Sequence, residues 1–207
     1  MDDRLRRIGT ENLSLYTKVD PSGFLDIEAN NILNFVNFDR NGDTYLYRDF
    51  GPDFFRDTWN MWFEILISAI VPPPFIVIGM LSNIVDDWKG IDDALGDCIG
   101  FSFGSAAGDP DPYVREVYGG VAGAAAGTSL SQNTTYYVKV ERRAIGTYGQ
   151  IGTYIYTDRG MGTRVSYAEW SLHKKQYHRY LSIVNSYNDG NVDCLSGTIT
   201  NFKVQTF

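Results

Sequence analysis

The chain is poor in the residues that most metal and redox chemistry needs. It has two cysteines and two histidines in 207 residues. It has no Cys-x-x-Cys pair and no Cys/His cluster, so zinc sites of the finger or ribbon type are excluded. Cys98 and Cys194 read as buried free thiols, because free cysteine packs like a small hydrophobe. One bridge between them stays open, since spacing does not determine pairing. His173 and His178 flank a charged run and read as surface residues. Basic charge is also scarce: 18 Lys and Arg stand against 25 Asp and Glu, a net charge of −7. A protein that tracks a phosphate backbone needs a basic face, so nucleic acid is not the expected partner.

Long apolar runs are missing too. The longest, Ile65 to Leu81, has 17 residues and contains Pro72, Pro73 and Pro74. A membrane-spanning helix needs about 20 apolar residues with its backbone hydrogen bonds intact, so no membrane span is expected. The run reads as two strands joined by a Pro-rich turn. Residues 1 to 11 are charged and lack the apolar core of a secretory signal. Gly-x-Ser-x-Gly, P-loop and His-Glu-x-x-His motifs are absent, and no Ser or Thr has a His partner at a recognisable spacing.

What remains is a strong period-two signal. Met61, Phe63, Ile65 and Ile67 share one face, while Trp62, Glu64, Leu66 and Ser68 share the other. Tyr45, Tyr47 and Asp49 alternate with Leu46, Arg48 and Phe50, and Tyr136, Val138 and Val140 oppose Tyr137, Lys139 and Glu141. Such alternation predicts half-buried strands. Further strands are expected near 23–28, 31–37, 75–82, 97–104, 113–118, 150–157, 163–168, 178–186 and 194–204. Turn pairs separate them, among them Asn41-Gly42, Gly119-Gly120 and Asp189-Gly190. No helix is expected, and the Ala-rich stretch Val121 to Ser129, broken by Gly123 and Gly127, reads as loop or irregular edge. Many short strands without helical crossovers predict an all-β fold, an antiparallel two-sheet β-sandwich. The expected division is an N-terminal arm, 1–11, and one domain, 12–207.

Two constellations stand out chemically. Asp86, Asp87, Asp92, Asp93 and Asp97 put five carboxylates into 12 residues around Trp88. Ca²⁺ takes oxygen ligands of this kind, and the first four are the metal-ligand candidates. Asp39 to Asp43 has a calcium-loop flavour, but its glycine stands at the fourth place; it reads as an Asn-Gly hairpin turn. Aromatics are the second constellation: 4 Trp, 14 Tyr and 12 Phe. Tyr45, Tyr47, Trp62, Trp88 and Tyr187 are the glycan-stacking candidates, with Tyr154 and Tyr156 on similar polar-side positions. Glu64 and Glu169 each lack a neighbouring carboxylate in their strand, whereas a retaining glycosidase needs two. No enzyme activity is expected.

Four segments together resemble the concanavalin A-like, laminin-G-like jelly-roll superfamily, in the form found in tailed-phage and environmental viral proteins. They are Asp43-Thr-Tyr-Leu-Tyr-Arg-Asp-Phe-Gly51, Val85 to Asp97, Leu130-Ser-Gln-Asn-Thr-Thr-Tyr-Tyr-Val-Lys-Val140 and Ser182 to Val204. The resemblance implies two curved antiparallel sheets. It also implies a virion structural or interaction protein: a capsid decoration, head-fibre or tail-associated subunit made in the host cytoplasm. Its partners would be other virion proteins, copies of itself and cell-surface glycans. The alternative is a Ca²⁺-dependent, lectin-like carbohydrate-binding module without catalysis. The superfamily by itself implies no single function.

Overall fold

The computed structural model describes residues 9–29, 31–72, 75–104, 108–191 and 193–207. Its first strands are β1 (Gly9–Thr10), β2 (Thr17–Val19), β3 (Leu25–Glu28), β4 (Ile32–Asp39) and β5 (Tyr45–Asp49). Then come β6 (Trp59–Val71), β7 (Phe75–Ser82), a short helix α1 (Trp88–Asp93), β8 (Asp97–Gly104), β9 (Asp111–Tyr118) and β10 (Val121–Ala126). The chain continues through β11 (Thr135–Arg143), β12 (Gln150–Tyr156), β13 (Arg164–Ser171), β14 (Tyr180–Asn185) and β15 (Cys194–Thr206).

These strands form two antiparallel sheets. An eight-stranded sheet runs β13-β12-β11-β6-β15-β4-β3, with β1 also paired to β15. A seven-stranded sheet runs β10-β9-β8-β7-β14-β5-β2. The expected all-β sandwich is what forms. In β6 the residues Met61, Phe63, Ile65 and Ile67 are buried between the sheets, and Trp62, Glu64 and Leu66 face outward, half-buried. The apolar run from Ile65 to Leu81 is two strands, as predicted, but β6 and β7 belong to different sheets. Pro73 and Pro74 lie outside the described residues.

The unbroken apolar character of β7 has its own cause. Ile76, Ile78 and Leu81 face the main core, while Phe75, Val77 and Met80 form a second cluster with Trp88 and Ile91 of α1. A strand buried on both faces loses the polar alternation. The register slips between Ile78 and Leu81, where Gly79 takes a φ of +62°. That is a bulge, and a Cβ there would stand 3.1 Å from the Met61 sulfur.

Several expectations need correction. A helix exists after all: α1, capped by Asp87, whose Oδ1 accepts from the Gly90 amide at 2.7 Å. Val121–Ala126 is an edge strand in full register with β9, held by backbone pairing that small side chains neither help nor block. Asn41-Gly42 is not a hairpin turn, because β4 and β5 lie in different sheets; the turn carries the chain across the sandwich. Cys98 is a buried free thiol as expected, but Cys194 is only half-buried, and the two sit in opposite sheets and are unbridged. Of the expected arm, residues 1–8 lie outside the described residues. Gly9 and Thr10 pair with Val204 and Lys203, and the buried Glu11 accepts from Arg48 Nη1 at 3.1 Å.

His173 is exposed, but His178 is fully buried, contrary to its surface reading. Its backbone pairs with Phe55, and Nε2 meets Gln176 Oε1 at 3.0 Å. Burial, with the Arg142 charge adding to it, pushes its pKa down to about 3. The unfolded chain protonates this histidine near its ordinary 6.5, and the folded chain does not. Stability should therefore fall as pH drops from about 6.5 towards 3, by up to about 1.4 kcal/mol per pH unit. Urea unfolding at a series of pH values checks this: His178→Gln should flatten that limb, and an unchanged slope would assign it to other groups.

Candidate functional site

The outer face of the eight-stranded sheet carries polar and aromatic side chains in rows set by strand register. One row runs Thr200, Glu64, Tyr137, Tyr156 across β15, β6, β11 and β12. The next runs Lys203, Trp62, Lys139, Tyr154. Residues opposite each other across antiparallel strands point to the same side, so these chains share one surface. The Thr157–Thr163 turn folds over this surface, and Asp158 holds it by accepting from the amides of Gly162 and Thr163 at 3.0 and 2.6 Å.

A depression of about 370 Å³ opens here, lined by Trp62, Glu64, Tyr137, Arg159, Asn201 and Lys203 among others. Glu64 Oε1 accepts from Arg159 Nη2 and from Asn201 Nδ2, both at 2.9 Å. Asn201 reaches this position through a β15 irregularity, where its own φ is +55°. Asparagine is one of the few side chains that adopt this backbone readily. Beside the depression, Tyr154 lies across Gly152 and donates to Glu169 Oε1 at 2.6 Å. Burial, then this bond, raises its pKa above the ordinary tyrosine value. Tyr154 is thus an internal strut rather than a free stacking face. The depression offers two aromatic side chains, two cations, one carboxylate and one amide. Such a set can stack on a ring and hydrogen-bond its hydroxyls. Its lining holds no second carboxylate for a hydrolytic pair among the described residues.

The acidic loop resolves into a different set of partners than its sequence suggests. The carboxylates of Asp43, Asp86 and Asp87 come within 4.8 Å of one another. Asp92 and Asp93 do not join them: Asp93 is paired with Lys89 one helical turn away, and Asp97 is paired with Lys174 at 2.9 Å. Asp43 comes from the turn between β4 and β5, which linear spacing could not bring into the loop. Asp87 is buried, and its Oδ2 accepts from Asn188 Nδ2 at 2.6 Å. Burial raises its pKa, helped by Asp86 and Asp43 and opposed by the Gly90 and Asn188 hydrogen bonds. Gly90 lets the Asp86 carboxylate sit close, since a Cβ on it would stand 2.3 Å from the Asp86 carboxyl carbon and displace that side chain. Three oxygen donors around a shared point suit a hard cation such as Ca²⁺.

The aromatic candidates divide between the two sheets. Trp62 lines the depression. Tyr45 and Tyr47 project from β5 on the opposite sheet, ring centroids 5.9 Å apart, with Tyr180 6.2 Å beyond Tyr47. Tyr45 borders the acidic cluster: burial first, then Asp43, Asp86 and Asp87, push its pKa up to about 12. Trp88 is buried under α1 and packs against Phe75, so it offers no stacking face. Tyr187 is half-buried against Phe75 at 4.6 Å. The five therefore do not converge. Sequence reasoning passed over Tyr137, Arg159, Asn201 and Lys203. The outward alternation of Tyr137 with Lys139 and Glu141 was the one available signal.

No family model matches the chain, and no curated protein matches it. Solved structures match it over nearly its whole length. The basic winged bean lectin covers 97% of this chain and 95% of its own, with a TM-score of 0.60 at 10% identity. A legume lectin-like domain from Entamoeba histolytica covers 93% and 90%, with a TM-score of 0.59 at 10% identity. The chain has the concanavalin A-like fold. An alginate lyase from Pseudomonas aeruginosa shares it, covering 93% and 98% with a TM-score of 0.56 at 13% identity. Lectins and a lyase on one concanavalin A-like scaffold mean that the fold does not choose between binding and catalysis. That choice rests on the side chains.

Proposed function

We propose that this chain is a carbohydrate-binding module without catalytic activity, whose site is the depression on the eight-stranded sheet. The observation that carries this reading is the convergence of Trp62 and Tyr137 on the Glu64–Arg159–Asn201 hydrogen-bonded group. Support comes from a neighbour of the same fold, the basic winged bean lectin, whose structure holds Tn-antigen. A Ca²⁺ ion held by Asp43, Asp86 and Asp87 is the second part of the proposal, acting as a clamp between α1 and the β4–β5 turn. The phage-type resemblance supplies a setting: on a virion, the module would present its depression to host-surface glycans and bind other virion proteins or copies of itself.

The test is a glycan array run with Ca²⁺ and with EDTA, alongside melting curves in both buffers. Binding should be selective and should survive EDTA, because the acidic cluster lies with the opposite sheet. The melting temperature should fall in EDTA, because an ion bound only by the folded chain stabilises it. Loss of binding in EDTA by a chain that stays folded would move the site to Tyr45 and the acidic cluster. No binding to any acidic or neutral glycan in either buffer would overturn the carbohydrate reading.

A further inference from the structure

Six of the nine arginines among the described residues have an acidic partner, Arg56 with Asp53 among them. Arg40 is paired with Asp189, Arg48 with Glu11, Arg143 with Glu169, Arg159 with Glu64 and Arg179 with Asp49. Arg115 on β9 is different. It projects from the outer face of the seven-stranded sheet, half-buried, with its guanidinium carbon 4.4 Å from the Phe75 ring centroid and 4.7 Å from that of Tyr113. Nε donates to Ser102 Oγ at 2.8 Å. Nη1 and Nη2 have no acceptor among the described residues. Burial lowers the Arg115 pKa from the ordinary arginine value and Arg40 pushes the same way, while Tyr113 and Tyr187 oppose. Among the described residues no carboxylate is paired with it.

A partly desolvated cation without a counter-charge is costly to keep. Here it is also positioned: two ring centroids lie 4.4 and 4.7 Å from the guanidinium carbon and Ser102 holds Nε. Across the β9–β10 pairing, Ala124 stands opposite Arg115 and Ala126 opposite Tyr113. These small side chains leave the flank of the guanidinium open. Beyond Phe75 stands Tyr187, with Arg40 5.0 Å above its ring.

We propose that Arg115 anchors a second ligand site, independent of the depression on the other sheet, for a ligand bearing a carboxylate. A carboxylate is planar and meets Nη1 and Nη2 with two parallel hydrogen bonds, in the plane of the guanidinium. A phosphate can also take two bonds from the fork, but it carries further charged oxygens that the neighbouring rings cannot hydrogen-bond. The carboxylate can belong to an acidic sugar or stand on a simple organic acid, and the two sources are separable.

The experiment titrates the isotope-labelled full chain with acetate, glucuronate, glucose and inorganic phosphate, following the Arg115 Nε–H resonance in the wild type and the backbone amide resonance of residue 115 in every chain. Acetate and glucuronate should each shift it saturably in the millimolar range, and glucose should not. Tighter binding of glucuronate identifies an acidic-sugar site, and equal binding of the two identifies a site for the carboxylate alone. Arg115→Gln should abolish the response. Arg115→Lys keeps the charge without the fork and should weaken binding by about tenfold. Absence of any saturable shift in the wild-type chain, or an Arg115→Gln chain that responds like the wild type, would overturn the proposal. Tighter binding of phosphate than of either carboxylate would overturn the ligand class.

Discussion

Replacing Trp62 with alanine should weaken glycan binding by roughly ten- to a hundredfold, about 1.4–3 kcal/mol. Trp62 is the largest side chain lining the depression, and its strand neighbours there, Lys139 and Lys203, are charged. No other indole lines the depression among the described residues. Truncation would remove one wall of the depression and leave the sandwich interior untouched, because Trp62 faces away from the core. The melting temperature should therefore change little. Titration calorimetry with the best array ligand reads the affinity. Tyr45→Ala, on the opposite sheet, is the paired control and should stay within about twofold of wild type. A reversed pattern, with Tyr45→Ala losing binding and Trp62→Ala retaining it, would transfer the site to the acidic-cluster side.

The largest expected loss of stability comes from Arg142. This residue ends the inward-facing series Tyr136, Val138, Val140 on β11 and is 2% exposed. Its Nη1 donates to the carbonyls of Arg56 and Gln176 at 2.8 and 2.5 Å, and its Nη2 donates to the Tyr148 carbonyl at 3.1 Å. These carbonyls belong to three separate connecting segments, so one guanidinium fastens three loops at one end of the sandwich. Arg142→Met fills most of the volume but strands three acceptors. Each unpaired buried polar group costs about 1–3 kcal/mol, so a total of about 3–5 kcal/mol is expected. For a chain of this length that lowers the melting temperature by roughly 10 °C. Arg142→Lys, which can reach only part of the set, should fall between. A Met variant that melts within a degree or two of wild type would mean that the loops hold without the arginine.

Much of the strand content was legible because burial on a sheet is a local, period-two property. The alternation in β6 and β11 named the inward and outward residues correctly, and the turn-rich, helix-poor pattern pointed to a sandwich. The misses have physical causes. The helix α1 is six residues long with a glycine inside, and it is held by the Asp87 cap and by burial of Trp88 and Ile91. A helix this short has almost no intrinsic stability to betray it. His178 looked exposed because its neighbours are charged, but its backbone pairing with Phe55 draws it inside.

The sites show the same division more sharply. Trp62 and Glu64 could be placed on one outward face from spacing alone. Glu64 then gains Arg159 and Asn201, which are 95 and 137 residues away, through the β6–β11 and β6–β15 pairings and a turn folded over the sheet. Asp43 joins Asp86 and Asp87 because a turn between sheets brings it there, while Asp92 and Asp93, nearer in sequence, stay outside the group of three, although Asp93 lines the same hollow as those three. The sequence by itself determined most of the residues that form strands, which of their faces is apolar, and that the chain carries few groups for metal or nucleophilic chemistry. Only the tertiary structure decided that Trp62 and Tyr45 lie on opposite sheets, that Trp88 is covered, and that Arg115 has no acidic partner among the described residues. Alternation acts between residues two apart, whereas sheet order and register are settled by backbone pairing between strands far apart in the chain.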